Sequence, residues 1–157
     1  MDLFADALND ILVKAYRSIL RLEEESLKTI SDTTLSINEM HLIECVGKGN
    51  EDGVTISSIA AELCITRPSA TIAVNKLEQK GYVEKLNCKN DGRVVNVFLT
   101  DKGREIDAIH RQYHLDMVNE VSKEVSEEEI KCLIGAIQKL NNYFKKSIGE
   151  KRWVLKY

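Results

Sequence analysis

ITRPSATIAVNKLEQKGYVEKLNCKNDGRVVNVFLTDKG, residues 65–103, carries both ends of one helix, a turn between two strands, and the start of another helix. Thr66 is a good N-cap, and Pro68, the only proline, stands in the first helical turn, where its missing N–H costs nothing. Lys80-Gly81 closes the helix, with the glycine as left-handed C-cap. Ile72 and Leu77, with Ala73 beside them, are assigned to its core face. YVEKLNC and VVNVFLT then alternate as strands around Asn-Asp-Gly, the signature of a β-hairpin, with Val95, Val97 and Leu99 on one face. Thr100 caps the helix that opens at Asp101.

Upstream, Thr55 starts a short helix whose inner face is Ile59, Ala60 and Leu63, and Cys64-Ile65 makes a tight connection into the Thr66 helix. Two short helices joined in this way are a helix-turn-helix, and the hairpin that follows makes it a winged helix. Before it, Ser36 or Asn38 can cap a helix over about 38–48 with Met40, Ile43 and Val46 inward. The chain opens with apolar residues at 3, 4, 7, 8, 11, 12, 15, 16, 19 and 20, a stripe wider than one neighbour needs, on a helix reaching about Ile30. It closes with a helix from Thr100 and another from the capping box Ser126-Glu-Glu-Glu. The expected fold is therefore mainly α with a small β-wing. A winged helix-turn-helix lobe over 35–103 sits in a single chain of 1–157, and 1–34 and 104–157 supply long dimerisation helices.

Charge points the same way. The 157-residue chain is −3 overall, but residues 64–104 hold eight Lys or Arg against four acids, so this +4 stretch leaves −7 for the rest. A basic face on an acidic body is the footprint of a nucleic-acid binder. No apolar run approaches the ~20 residues of a membrane span, and the N-terminus lacks the basic start of a signal peptide, so a cytoplasmic protein with no membrane partner is expected. Cys45, Cys64, Cys88 and Cys132 form no CxxC and read as reduced thiols. No nucleophile triad, phosphate loop or carboxylate pair stands out, so an enzyme is not expected and no catalytic residue is assigned.

The order and spacing of the helix, the L-E-x-K-G-Y-V exit, the D-x-R wing and the L-T-x-K-G entry resemble the MarR-type transcriptional regulators along nearly the whole chain. The resemblance implies a homodimer that places recognition helices in successive major grooves of a pseudo-palindromic DNA operator and wings in the flanking minor grooves. It aligns Arg93 with the wing arginine and Asp91 with the acid that orients it. Gly92 stands where the family usually has a second cation, which implies weaker, less salt-dependent binding. On the recognition helix Arg67, Ser69, Ala70, Thr71, Val74 and Asn75 are read as the outer face, with Asn75 and Arg67 suited to base edges. Lys76 and Lys80 suit phosphates.

LSINEMHLIECVGK (35–48) and HRQYHLDMV (110–118) are similar to the branch of that family that represses fatty-acid synthesis genes, the FabT type, in which long-chain acyl-acyl carrier protein is corepressor. Helical faces nominate Ile11, Tyr16, Leu20, Met40, Ile43, Ile109, Tyr113 and Met117 as lining for the acyl chain. No cofactor is required by this reading. The alternative is zinc, as in the family's metal-uptake repressors, held by His41, His110, His114 and a glutamate such as Glu24. The tail with Trp153 receives no role.

Overall fold

Several helices of the chain begin in the same way. The hydroxyls of Ser36, Thr55, Thr66 and Ser126 accept hydrogen bonds from the backbone N–H three residues on, at 3.3, 3.1, 3.3 and 3.3 Å. Each satisfies a donor that the helix cannot, worth about 1 kcal/mol. The computed structural model describes residues 3–29, 35–87 and 94–149. Its helices are α1 (Leu3–Thr29), α2 (Ile37–Gly47), α3 (Ile56–Glu62), α4 (Arg67–Gln79), α5 (Asp101–Lys123) and α6 (Glu127–Gly149). Its strands are β1 (Val54–Thr55), β2 (Val83–Asn87) and β3 (Val95–Leu99). Ser36, rather than Asn38, caps α2, and Glu39 completes the capping box. The fold is the expected mainly helical winged helix-turn-helix with a small sheet.

The sheet has one strand more than expected. Its order is β1-β3-β2, all antiparallel, with Val54 opposite Val97 and Val83 opposite Leu99. β1 is two residues long, too short for alternation to show in a sequence. The turn between β2 and β3, with Asn90, Asp91, Gly92 and Arg93, lies outside the described residues, as does Trp153.

α2, α3, α4 and the sheet enclose one core. Met40, Ile43, Ile59, Ala70, Val74, Leu77 and Val97 have no exposed surface, and Leu27 of α1 joins them. Each large apolar side chain so buried contributes about 1.5–3 kcal/mol. The inner face of α4 differs from the expected one. Ala70, Val74 and Leu77 line it at the i, i+4, i+7 spacing of a helical stripe, whereas Ile72 is 69% exposed. Ala70 and Val74, read from the sequence as part of the outer face, are thus core.

The turn between α3 and α4 needs a left-handed residue, and Cys64 takes it at φ 53°. Gly81, at φ 78°, ends α4 as expected. The chain divides into two compact units, Met1–Asp107 and Ala108–Tyr157. The first holds α1 and the winged helix. The second holds the rest of α5 and all of α6. Among the described residues no helix is long and apolar enough to cross a membrane. Cys45, Cys64 and Cys132 are free thiols, and burial pushes Cys45 up, away from a reactive thiolate.

Candidate nucleic-acid interface

α4 presents Arg67, Ser69, Ile72, Asn75 and Lys76 to solvent, with Thr71 half-buried. Its two ends are held differently. At the N-terminus the Thr66 and Ser69 hydroxyls share a 2.8 Å hydrogen bond, and Thr71 donates to the Arg67 carbonyl at 3.0 Å. The polar tips of Ser69 and Thr71 are therefore engaged locally, and Thr71 has its methyl left for contact.

The C-terminus is clamped by the start of α5, which explains the L-T-D-K-G run at 99–103. The Thr100 hydroxyl donates to the Gly81 carbonyl at 2.7 Å and accepts from the Gly103 N–H at 3.1 Å. Lys102 donates to the Lys80 carbonyl at 3.2 Å, and its ammonium lies 4.2 Å from the centre of the Tyr82 ring. A cation at the last carbonyls of α4 also complements the helix dipole. Gly103 packs on the Tyr82 carbonyl so closely that any Cβ would collide with backbone.

The recognition helix is also tied to α2. Glu39 is 6% exposed and takes 2.8 and 2.9 Å bonds from Lys80, a 3.3 Å contact from Lys76, and the Ser36 N–H at 2.8 Å. Burial alone would raise its pKa, but the Lys80, Ser36 and Lys76 hydrogen bonds outweigh it and hold the carboxyl down at about 2. Lys80, read from the sequence as a phosphate ligand, is 22% exposed and bound to this buried acid; its work is structural. Lys76 keeps 61% of its side chain in solvent and stays on the outer surface.

Beside Asn75 stands a residue that sequence reading passed over. Lys85 of β2 donates to Asn75 Oδ1 at 2.7 Å and pairs with Glu78 at 2.8 Å. The outward exposure of Ile72 was also missed, although the period of Ala70, Val74 and Leu77 encodes it.

The nominated acyl-lining residues separate. Tyr16 and Leu20 of α1 line a groove of about 600 Å³ with Leu27, Leu35 and Ile37, and Glu24 and Lys28 stand at the same groove. Ile11 is exposed. Met40 and Ile43 are sealed in the core and line no part of this groove. In the second unit Ile109 is exposed, and Tyr113 and Met117 are half-buried. Of the histidines, His41 lies 3.5 Å from Glu23, and the Nε2 atoms of His110 and His114 are 3.3 Å apart. Among the described residues no three His, Cys, Asp or Glu side chains converge as metal ligands.

The MarR family model matches residues 35–95. The structure resembles that of Streptococcus pneumoniae FabT in complex with DNA, with 33% identity, 90% of this chain and 98% of the other covered, and a TM-score of 0.83. AbsC, a MarR family transcriptional regulator from Streptomyces coelicolor, shares the fold at a TM-score of 0.79 and 16% identity, over 93% of this chain and 97% of that one. In sequence, the HTH-type transcriptional regulator BilQ of Clostridioides difficile (strain CD3) is 30% identical over 51% of this chain and 54% of its own. The uncharacterized HTH-type regulator YhjH of Bacillus subtilis (strain 168) is 25% identical over 66% of this chain and 57% of its own. The chain thus spans little more than half the length of these two curated relatives.

Proposed function

This chain belongs to the MarR family of transcriptional regulators, and from that premise we propose that it is a dimeric repressor of fatty-acid biosynthesis genes, with long-chain acyl-acyl carrier protein as corepressor. The likeness to DNA-bound FabT along nearly the full length of both chains carries this reading. α4 enters the major groove with Arg67, Asn75 and Lys76 leading and with the Ile72 side chain and the Thr71 methyl available to thymine. Arg93 of the wing, with Asp91 two residues before it in sequence, reaches the minor groove. The helices of 1–34 and 104–157 cover their apolar stripes in a second copy, which sets two recognition helices on two half-sites.

The α1–α2 groove takes the acyl chain. Its volume falls within the roughly 300–1,000 Å³ of ligand cavities, and its walls are apolar around Leu20, Leu27, Leu35 and Ile37. A corepressor binds the DNA-fitting spacing of the two lobes better than the others and so shifts the population toward it. The test is fluorescence anisotropy of a labelled promoter fragment at fixed salt with a chelator present. Operator binding should tighten with long-chain acyl carrier protein and not with the unacylated carrier. The same affinity under both conditions would rule the acyl corepressor out.

The second reading is zinc. The 3.3 Å between the His110 and His114 Nε2 atoms matches two nitrogens at about 2.0–2.1 Å from one tetrahedral zinc. Zinc would need further ligands beyond these two histidines. Tightening by zinc in the chelator-free titration, and none by the acylated carrier, would favour it.

A further inference from the structure

We propose that Lys85 is a positioning residue for DNA recognition: it presets Asn75 as a hydrogen-bond donor, so that the operator base opposite Asn75 is guanine rather than adenine. The proposal rests on the reading of α4 as the DNA-recognition helix.

The argument starts in β2. Residues 83, 85 and 87 share one face of the strand, and Val83 on that face is buried. Lys85 follows it where the sheet leaves the core, opposite Val97. A lysine at such a position has to find partners for its ammonium. It finds two on α4, three residues apart and hence on one side of the helix: Glu78 at 2.8 Å and Asn75 Oδ1 at 2.7 Å.

The chemistry then fixes the amide. An ammonium has three donors and no acceptor, so only the oxygen of Asn75 can face it. The NH₂ group is turned the other way. Glu78 holds Lys85 in place, so the orientation exists before DNA arrives, and the ordering is not left to the binding step. An unrestrained asparagine reads adenine with both ends, accepting from N6 and donating to N7. With its oxygen held toward β2, Asn75 offers donors alone. Guanine answers with two acceptors, N7 and O6, whereas adenine places its N6 donor against the NH₂.

The test selects duplexes from a randomised pool with the full-length protein and sequences them. Asn75→Ala identifies the operator position that Asn75 reads. At that position the wild type should favour guanine over adenine by about tenfold, one good base contact. Lys85→Met should free the amide and shift the preference toward adenine. Lys85→Arg, which keeps the donors, should retain guanine. Thermal melting of each variant checks that it is folded, and the Arg variant keeps the test valid if the Met variant is not.

Adenine in the wild type, or an unchanged base profile in folded Lys85→Met, would overturn the proposal. So would a uniform loss of affinity in Lys85→Met with the profile intact, which marks a phosphate contact. An Asn75→Ala profile identical to wild type at every position would overturn the placement of α4 itself, and this assignment with it.

Discussion

Between α2 and β3 most of the large apolar side chains are inside, Ile72 apart among those on α4: Met40, Ile43, Ile59, Leu77 and Val97 expose nothing. On α1 and α6 their counterparts are outside. Leu3, Phe4 and Ile11 are 89%, 83% and 62% exposed, and Leu133, Ile134, Ile137 and Phe144 are each about half exposed. Both regions contain amphipathic helices with apolar residues at helical spacing. The winged helix closes its own core because a sheet and three short helices face one another within a short stretch of chain. The long helices have more apolar surface than the chain itself covers. Exposure of that extent marks an interaction surface rather than a solvated face.

The sharpest way to break this contrast is to charge the outer stripe. Ile134→Glu with Ile137→Glu should convert a dimer to a monomer in sedimentation velocity. Operator affinity should fall by about 10²- to 10⁴-fold, the avidity lost when two linked half-site contacts become one. A double variant that still sediments as a dimer with native affinity would remove the stripe from the interface.

Within the closed region the strongest single polar element is Glu39. Its folded carboxyl sits near 2, below the ordinary 4.5, so it stabilises the fold at pH above 4.5. That stability, about 3 kcal/mol, disappears as pH falls through the folded value. Denaturant unfolding of the wild type across pH 5 to 2 should therefore show a decline that Glu39→Gln flattens. Parallel curves for the two proteins would mean that Lys80 and Ser36 do not hold the acid as described.

The two faces of α4 give the smallest and most local comparison. Val74→Ala should cost about 2 kcal/mol of stability by opening a cavity, with base preference unchanged. Ile72→Ala should leave stability within about 0.5 kcal/mol and weaken operator binding by about 1 kcal/mol. Melting and anisotropy on the same pair of variants read both effects. The reverse pattern would restore the sequence-based assignment of these faces.

Much of the winged helix was legible because its signals are local. Thr66, Pro68 and Gly81 bracket α4 through backbone chemistry that acts within one turn. Ser36 and Ser126 do the same for α2 and α6. The inner face of α4 was harder. Ile72, Ala73 and Leu77 form a more apolar set than Ala70, Val74 and Leu77, and hydropathy outweighed period in choosing between them. β1 escaped notice because two residues carry no pattern.

The interface was legible in its outline and not in its detail. Asn75 and Arg67 were found as outward polar residues on a capped helix. Lys80 and Lys85 carry the same charge in the sequence, and nothing local distinguishes them from a phosphate-binding lysine. Lys80 is claimed by Glu39, 41 residues earlier, and Lys85 by Asn75, 10 residues earlier.

The amino-acid sequence by itself determined where helices start and stop, that a hairpin follows the second helix of a helix-turn-helix, and which family the chain resembles. Caps, turns and periodicity are set by neighbours within about one turn of chain, so they can be read in order. Only the tertiary structure decided which cations are free to meet DNA, which side of α4 is core, and which apolar residues border a groove rather than fill the interior. Those properties depend on partners distant in sequence, and the energy of a charge or a methyl group is set by what surrounds it in space.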